Sequence, residues 1–191
     1  MTFKQLLRRI ARIVKGKKGI YGEIGKGNHF SEGVLIYEGA KVGKYNYFAP
    51  YTVINNATIN NYCSIGPGCR IGLGEHDISA VSMRPIIANG NGDMVLFEAN
   101  DPTVIGCDVW LGANVIIKQG VRIGNGAVIG ANSLVLKDVP AYAIAYGIPT
   151  KVAKYRFDAE KIKIIESTKW YDYDPESAKE IVRKISGEPK K

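Results

Sequence analysis

The fold is decided by residues 105–135, which read IGCDVWLGANVIIKQGVRIGNGAVIGANSLV. Aliphatic residues recur here at strict intervals of six: Ile105, Leu111, Ile117, Ile123, Ile129 and Val135. A period of six fits neither an α-helix, at about 3.6 residues per turn, nor a heptad repeat. Six is a multiple of two, so in an extended chain every such residue points to the same side. Turn residues recur too often for an antiparallel meander. The pattern predicts a parallel β-helix that turns a corner every six residues and buries one aliphatic side chain per side.

The same interval runs upstream of this stretch. One series is Val53, Ile59, Ile65 and Ile71, and another, offset by one residue, is Ile36, Val42 and Phe48. The offset predicts a five-residue step from Phe48 to Val53. Between Ile71 and Ile105 the repeat stops once. This break predicts a loop extruded from the coil over about residues 73–102, and such insertions are often the binding face of a solenoid.

The chain divides into three parts. Residues 1–18 contain a predicted basic amphipathic helix over residues 3–14, residues 19–153 form the β-helix, and residues 154–191 form a helical extension. The first helix either covers the end of the solenoid or makes weak peripheral contact with anionic lipid. In the extension we expect one helix from about Asp158, as N-cap, to Thr168, and another from about Pro175 to Ser186.

Composition narrows the function classes. The formal net charge of +8 resembles that of a nucleic-acid-binding protein, but residues 1–18 carry seven basic and no acidic residues, which leaves +1 for the remainder. The charge therefore belongs to one short segment, and no nucleic-acid partner is expected. No apolar run approaches the roughly 20 residues that span a bilayer, and no signal peptide is visible, so a cytoplasmic protein is expected.

The three cysteines do not form a disulfide framework. Cys63 and Cys69 occupy equivalent places in neighbouring hexads and are expected to be small buried packing residues. No zinc-binding spacing exists, so no metal is expected. The pairs at residues 55–56 and 60–61 are asparagines, which tolerate the left-handed conformation and are expected at corners.

The chain has two histidines. His29 lies in the irregular first coil, where a structural role is the default. His76 follows Ile71 by five residues, at the first step of the extruded loop, which makes it a candidate catalytic residue. Histidine suits proton transfer because its unperturbed pKa is about 6.5.

Several stretches, in order, resemble the hexapeptide-repeat acyltransferases, in the branch of xenobiotic, antibiotic and polysaccharide O-acetyltransferases. They are IGPGCRIGLGEH at 65–76, GCDVWLG at 106–112, ANS at 131–133, GIPTKV at 147–152, KYRF at 154–157 and KWYD at 169–172. The resemblance covers about residues 25–172. It implies a left-handed parallel β-helix, a homotrimer with active sites between subunits, acetyl-CoA as co-substrate and a directly attacked acceptor. It also implies His76 as general base.

The resemblance further implies which residues contact the ligands. Those expected to contact acetyl-CoA are Trp110, Gly112, Ala113, Gly130, Ala131, Ile148, Pro149 and Lys151. Those expected to contact the acceptor are Tyr37, Tyr47, Tyr51, Ser82, Met83 and Arg84. Packing remains an alternative role for Trp110 and the tyrosines, and solvated surface charge for Lys151.

The expected activity is acetyl transfer to a sugar hydroxyl during surface-polysaccharide assembly. Acetylation of an antibiotic of the streptogramin or chloramphenicol type, and N-acetylation of an amino sugar, are the alternatives within the same chemistry. A non-enzymatic scaffold is the alternative from another class. The sequence departs from the family pattern at residues 147–151, which replace the usual Gly-Asn-Pro-Ala-Lys, at Tyr171 and Tyr173, where tryptophan is common, and at residues 83–85 in the loop.

Overall fold

The computed structural model describes residues 19–76, 78–84, 87 and 102–187. Over these residues the chain forms a parallel β-solenoid of about six turns, followed by two helices. The predicted helix at residues 3–14, most of the extruded loop and the C-terminal tail lie outside the described residues. Within the described part, no helix is both long enough and apolar enough to cross a membrane.

The strands are short because a corner follows each of them. They are β1 (Glu23–Ile24), β2 (His29–Phe30), β3 (Leu35–Ile36), β4 (Lys41–Val42), β5 (Tyr47–Phe48), β6 (Val53–Ile54), β7 (Ala57–Ile59), β8 (Ser64–Ile65), β9 (Arg70–Leu73), β10 (Thr103–Ile105), β11 (Trp110–Leu111), β12 (Ile116–Lys118), β13 (Arg122–Ile123), β14 (Val128–Ile129), β15 (Leu134–Val135), β16 (Ala143–Gly147) and β17 (Thr150–Tyr155).

Three sheets form the faces of the solenoid. The first face contains β1, β4, β7, β10 and β13, and the third contains β3, β6, β9, β12 and β15. The second face contains β2, β5, β8, β11, β14, β16 and β17. All pairs are parallel except β16 with β17. We number each corner after the face that it follows, so the second corner joins the second face to the third.

The aliphatic ladder fills the interior as predicted. Every repeat residue from Ile105 to Val135 is buried, as are Ile59, Ile65 and Ile71. The prediction for Val53 was wrong, because Ile54 is fully buried and pairs in register with Ile71 while Val53 points outward. The five-residue step therefore lies between Ile54 and Ile59. A slip of one residue reverses which side chains face the core, so this turn sets the phase.

Tyrosine takes several of the left-handed positions at the corners. The left-handed residues of the first corner are Gly27, Tyr45, Tyr62, Asp108, Gly126 and Tyr142, and those of the second corner are Gly33, Tyr51, Gly68, Asn114 and Asn132. The asparagines at 55–56 and 60–61 lie at corners as predicted, between β6 and β7 and between β7 and β8, but none of them has a positive φ. Instead, Asn61 donates to the Tyr171 carbonyl oxygen and accepts a hydrogen bond from the Lys44 N–H.

The cysteines behave as predicted. All three are free and buried. The Cys63 thiol donates to the Gly106 carbonyl oxygen, and the Cys69 thiol donates to the Gly112 carbonyl oxygen, each in the next coil. Their function is therefore to pack and to link neighbouring coils.

The C-terminal helices begin and end close to the predicted residues. Helix α1 spans Ala159–Thr168, with the Asp158 side chain as N-cap, and α2 spans Pro175–Ser186. A 3-10 turn at Trp170–Asp172 joins them. The segment from Arg156 to Tyr173 runs back along the first corner. Residues 146–152 belong to the antiparallel hairpin β16–β17.

Candidate active site

His76 lies at the third corner, where the chain leaves the solenoid. It follows β9 by three residues and its side chain is exposed. Gly72 makes the departure possible: its φ is +64°, and a Cβ there would lie 2.5 Å from the Asn56 carbonyl oxygen. Beside His76, Glu75 forms an exposed ion pair with Lys118 of the next coil, at 3.4 Å between Oε2 and Nζ. The predicted base is thus accessible and lies on a fixed edge of the third face.

The residues predicted for acetyl-CoA lie mainly along the second corner. Gly112 and Gly130 occupy equivalent positions in successive coils, and a Cβ on Gly112 would lie 2.6 Å from the Ala131 nitrogen. Coils can approach this closely only because both positions are glycine. Ala113 and Ala131 follow them, and both are at least partly exposed.

Two backbone donors are free at this corner. Within the described residues, the N–H groups of Ala113 and Ala131 donate no hydrogen bond, although neighbouring corner amides are paired between coils. The equivalent position one coil earlier is Pro67, which has no N–H. The two donors lie one strand spacing apart, about 4.8 Å. They form a short ladder suited to the amide and carbonyl groups of an extended ligand.

Trp110 lies in β11, on the outer side of the second face. It pairs in register with Ser64 on one side and with Val128 on the other. Its side chain is 56% exposed. The packing alternative for Trp110 therefore does not apply within this chain, because the ring is not part of the core.

The remaining cofactor candidates lie at the tip of the β16–β17 hairpin. Ile148 is 74% exposed, and Pro149 and Lys151 are beside it on the same tip. Ser133 holds the hairpin against the second corner: its hydroxyl donates to the Gly130 carbonyl oxygen at 2.7 Å and accepts from the Gly147 N–H at 3.1 Å.

The acceptor candidates are spread over several places. Tyr37 lies at the third corner with His76, two coils earlier, and Tyr47 lies on the second face. Tyr51 is at the second corner, where its ring covers Gly33: a Cβ on Gly33 would lie 2.5 Å from the Tyr51 Cδ1. Covering this glycine is a structural role, although 58% of Tyr51 is exposed.

The loop candidates lie beyond His76. The Ser82 hydroxyl accepts a hydrogen bond from the Arg84 N–H at 3.2 Å. Met83 and Arg84 are exposed. This short turn follows His76 by six to eight residues in the chain.

A single chain does not bring all the candidates together. His76 and Tyr37 lie at the third corner, whereas the free donors at Ala113 and Ala131 lie at the second. The third face separates these two edges.

The cysteines are not suited to nucleophilic chemistry. Burial raises the pKa of Cys69 and of Cys107 to about 11. Burial also raises the pKa of Cys63 well above its ordinary value. Because the thiolate is the nucleophile, these three thiols are inert near neutral pH. A covalent acyl-cysteine route is disfavoured.

Sequence reasoning missed two sets of polar residues with structural roles. Ser133 is a buried polar residue in an inward-facing row whose neighbours, Val121, Ala127 and Val139, are apolar. That contrast was visible in the sequence. The network around Glu166 was not, because it joins distant residues: Asn125, Tyr142 and Tyr171 all donate to the Glu166 carboxylate. Within the described residues, no group of His, Cys, Asp and Glu is arranged to hold a metal ion.

Comparison with known proteins places the chain among acetyltransferases. The family model "Bacterial transferase hexapeptide (six repeats)" matches residues 102–137. A chloramphenicol acetyltransferase of Escherichia coli is 33% identical over 74% of this chain and 80% of its own length. The putative colanic acid biosynthesis acetyltransferase WcaF of Escherichia coli K12 is 34% identical over 64% of this chain and 72% of its own.

A solved structure has the same fold. The hexapeptide-repeat acetyltransferase of Vibrio cholerae superposes with a TM-score of 0.57 at 24% identity, covering 78% of this chain and 82% of that one. At 24% sequence identity this structural similarity is evidence for a shared fold alone.

Proposed function

The chain belongs to the hexapeptide-repeat acetyltransferase family, and we propose that it moves an acetyl group from acetyl-CoA directly to a sugar hydroxyl, with His76 as general base. It is an acyltransferase. We also propose that it works in the cytoplasm. The observation that carries the proposal is the position of His76, exposed at the foot of the only excursion from the solenoid in residues 19–187.

The other described histidine offers no comparable site. The His29 ring stacks on Tyr47 in the adjacent strand, with 5.2 Å between ring centroids and 4° between planes. His76, by contrast, is free to approach a ligand at the third corner.

The reaction needs one base and one oxyanion donor. The imidazole of His76 takes the hydroxyl proton as the acceptor oxygen attacks the thioester carbonyl, forming a C–O bond. The tetrahedral oxyanion then collapses, the C–S bond breaks, and the CoA thiolate recovers the proton from the imidazolium. The products are the acetyl ester and CoA–SH. A backbone N–H fixed in a rigid corner is suited to stabilise the oxyanion without reorganisation.

The second corner is the proposed binding place for acetyl-CoA. The free N–H groups of Ala113 and Ala131 would donate to the carbonyl oxygens of its extended arm. Lys151, at the exposed hairpin tip, would lie near a phosphate group. Trp110 would cover the apolar part of the same cleft.

A homotrimer would complete the site. Cyclic trimers use heterologous interfaces, in which two different surfaces of the same chain meet. The third corner of one protomer can then face the second corner of its neighbour. His76 and the free donors lie on such a pair of surfaces, which supports this arrangement.

The acceptor class is less constrained than the chemistry. Exposed tyrosine rings at the third corner and on the second face suit a pyranose, and the similarity to WcaF favours a polysaccharide precursor. The similarity to the chloramphenicol acetyltransferase favours the second candidate, a drug hydroxyl.

The test is CoA release from acetyl-CoA with a panel of sugars and drug alcohols. We expect His76→Ala to lower kcat by about 100- to 10,000-fold with every acceptor, because a general base contributes that much. Lys44→Ala, an exposed change at the first corner, is the control and should keep turnover. Turnover that survives in His76→Ala would contradict the mechanism, and a chain that binds no CoA would favour a scaffold.

A further inference from the structure

The outer side of the second face carries an aligned row of side chains. In register, from the first coil upward, the row is His29, Tyr47, Ser64, Trp110, Val128 and Ile144. Parallel strands in register place these side chains one above another along the axis. The row therefore contains one short side chain, Ser64, between two large aromatic ones.

Both aromatic neighbours of Ser64 are available to a ligand. Tyr47 is 46% exposed, and its far side is backed by the parallel ring of His29, which limits its movement. Trp110 takes part in no ring pair among the described residues. The Ser64 hydroxyl makes no hydrogen bond to a described residue. We call the space above Ser64, between the Tyr47 and Trp110 rings, the Ser64 slot.

The width of the slot decides what fits. Two strand spacings, roughly 10 Å, separate the backbones of Tyr47 and Trp110, so a ring that sits over Ser64 in line with the row would lie about 5 Å from each neighbour. Carbon atoms make best contact at about 3.5–4.0 Å, so a flat aromatic ring would leave a gap on one or both sides. A saturated six-membered ring carries axial hydrogens on both faces and is thicker. It fills the space.

We propose that the Ser64 slot binds the pyranose ring of the acceptor. The slot is uncharged, which suits a neutral sugar, and its floor offers one hydroxyl for a hydrogen bond. This proposal rests on the proposed function, because it assigns the acceptor of that reaction. It adds Ser64 as a specificity-determining residue and gives Trp110 a role toward the acceptor as well as the cofactor.

The first experiment fills the slot. Ser64→Phe places a ring inside the Ser64 slot, and we expect kcat/KM for methyl pyranosides to fall by at least about 10-fold. The KM for acetyl-CoA and turnover of ethanol, which needs no slot, should stay within about 2-fold. Thr58→Phe is the matched control, since it adds the same ring at an outward position of the same coil on the first face.

The alternative occupants give different results. If chloramphenicol turnover falls in Ser64→Phe and methyl pyranoside turnover does not, the slot takes flat rings and the proposal is wrong. If acetyl-CoA binding is lost, the row belongs to the cofactor. If the oligomer dissociates, the row is a subunit contact. Each of the last two outcomes also overturns the proposal.

A second measurement needs no catalysis. The chain has two tryptophans, so Trp170→Phe leaves Trp110 as the only one. In this background we expect methyl pyranosides to change the Trp110 fluorescence in a saturable way, and Ser64→Phe to abolish the change. Binding without turnover would leave the slot in place and count against the proposed reaction, whereas turnover with no fluorescence response would count against the slot alone.

Discussion

At the scale of the residue, Asp108 shows how the corner tolerates a buried charge. It occupies the left-handed position of the first corner, and its Oδ2 accepts a hydrogen bond from Arg156 Nη1 at 3.1 Å. The same Nη1 donates to the Gly126 carbonyl oxygen at 2.7 Å. Burial raises the pKa of Asp108, and Arg156 opposes that rise. The ionised carboxylate therefore depends on Arg156.

We expect Arg156→Met to lower the free energy of unfolding by about 1–3 kcal/mol at pH 7.5, less than for a fully buried pair because both side chains are partly exposed. A raised folded-state pKa means that the protonated acid is the form that the fold favours. The stability that the protonated Asp108 contributes is present at low pH and is lost as pH rises through the folded-state pKa. Without Arg156 the pKa rises further, so the variant should be less destabilised at pH 4.5.

Urea unfolding at both pH values, at one protein concentration, measures this difference. The control is Asp108→Asn combined with Arg156→Met, because asparagine keeps the left-handed conformation and removes the charge. This double variant should be more stable than Arg156→Met at pH 7.5. Equal destabilisation of Arg156→Met at both pH values would show that the lost packing of Arg156 dominates.

The tyrosines mark where sequence reasoning failed at this scale. Asparagine has the higher intrinsic preference for positive φ, and the predicted asparagines do lie at corners, yet the left-handed residue beside Asn60 and Asn61 is Tyr62. Tyr45 and Tyr51 take such positions because each ring covers a glycine of the preceding coil. Each of these tyrosine–glycine contacts joins residues 18 apart in the sequence. Because the turns vary in length, local conformational propensity alone could not reveal them.

At the scale of the element, the β16–β17 hairpin depends on one buried hydroxyl. Ser133→Ala leaves the Gly147 N–H without its acceptor, which should lower the free energy of unfolding by about 1 kcal/mol. We expect the Kd for CoA to rise about 5-fold, because the hairpin tip carries Lys151. Isothermal titration calorimetry with CoA measures this Kd.

Thr52→Ala is the matched control for Ser133→Ala. Thr52 is also buried at the second corner, and its hydroxyl donates to the Ala49 and Gly66 carbonyl oxygens. It lies in an early coil, so its loss should lower stability and leave CoA affinity unchanged. Similar CoA affinities in the two variants would mean that the hairpin position is irrelevant to the cofactor.

Elements with local signals were predicted well. Helices α1 and α2 begin after Asp158 and Asp174, whose carboxylates accept backbone hydrogen bonds from the first turn. The strands of the β16–β17 hairpin pair antiparallel where the solenoid ends, and β16 also pairs with β14, a contact that no local pattern encodes.

At the scale of the whole molecule, the period of six determined the architecture, and the break in that period located His76. The arrangement of the site could not be predicted in the same way. The candidate residues lie at different corners, and the relation between corners depends on the coil geometry, which no short stretch of sequence encodes.

Mixing His76→Ala with Ala131→Pro tests the proposed assembly, once each variant alone has been shown to lack turnover. His76→Ala lacks the proposed base. Ala131→Pro lacks one proposed donor, and the chain already has a proline, Pro67, at the equivalent position two coils before Ala131. In randomly mixed trimers about a quarter of the interfaces combine two intact halves. We expect about a quarter of wild-type turnover after co-expression. A mixture as inactive as its parents would place the whole site within one chain.

The excursion after β9 leaves the corners unchanged. Tyr62 and Asp108 are 46 residues apart, whereas other neighbouring left-handed residues of the first corner are 16 to 18 residues apart. The Asp108 N–H nevertheless donates to the Asn61 carbonyl oxygen, as the equivalent N–H groups of the other coils donate to the coil before them. The coils on both sides of the insertion therefore stay in the common register, and we expect changes in the length of the inserted segment to leave this hydrogen bond between coils intact.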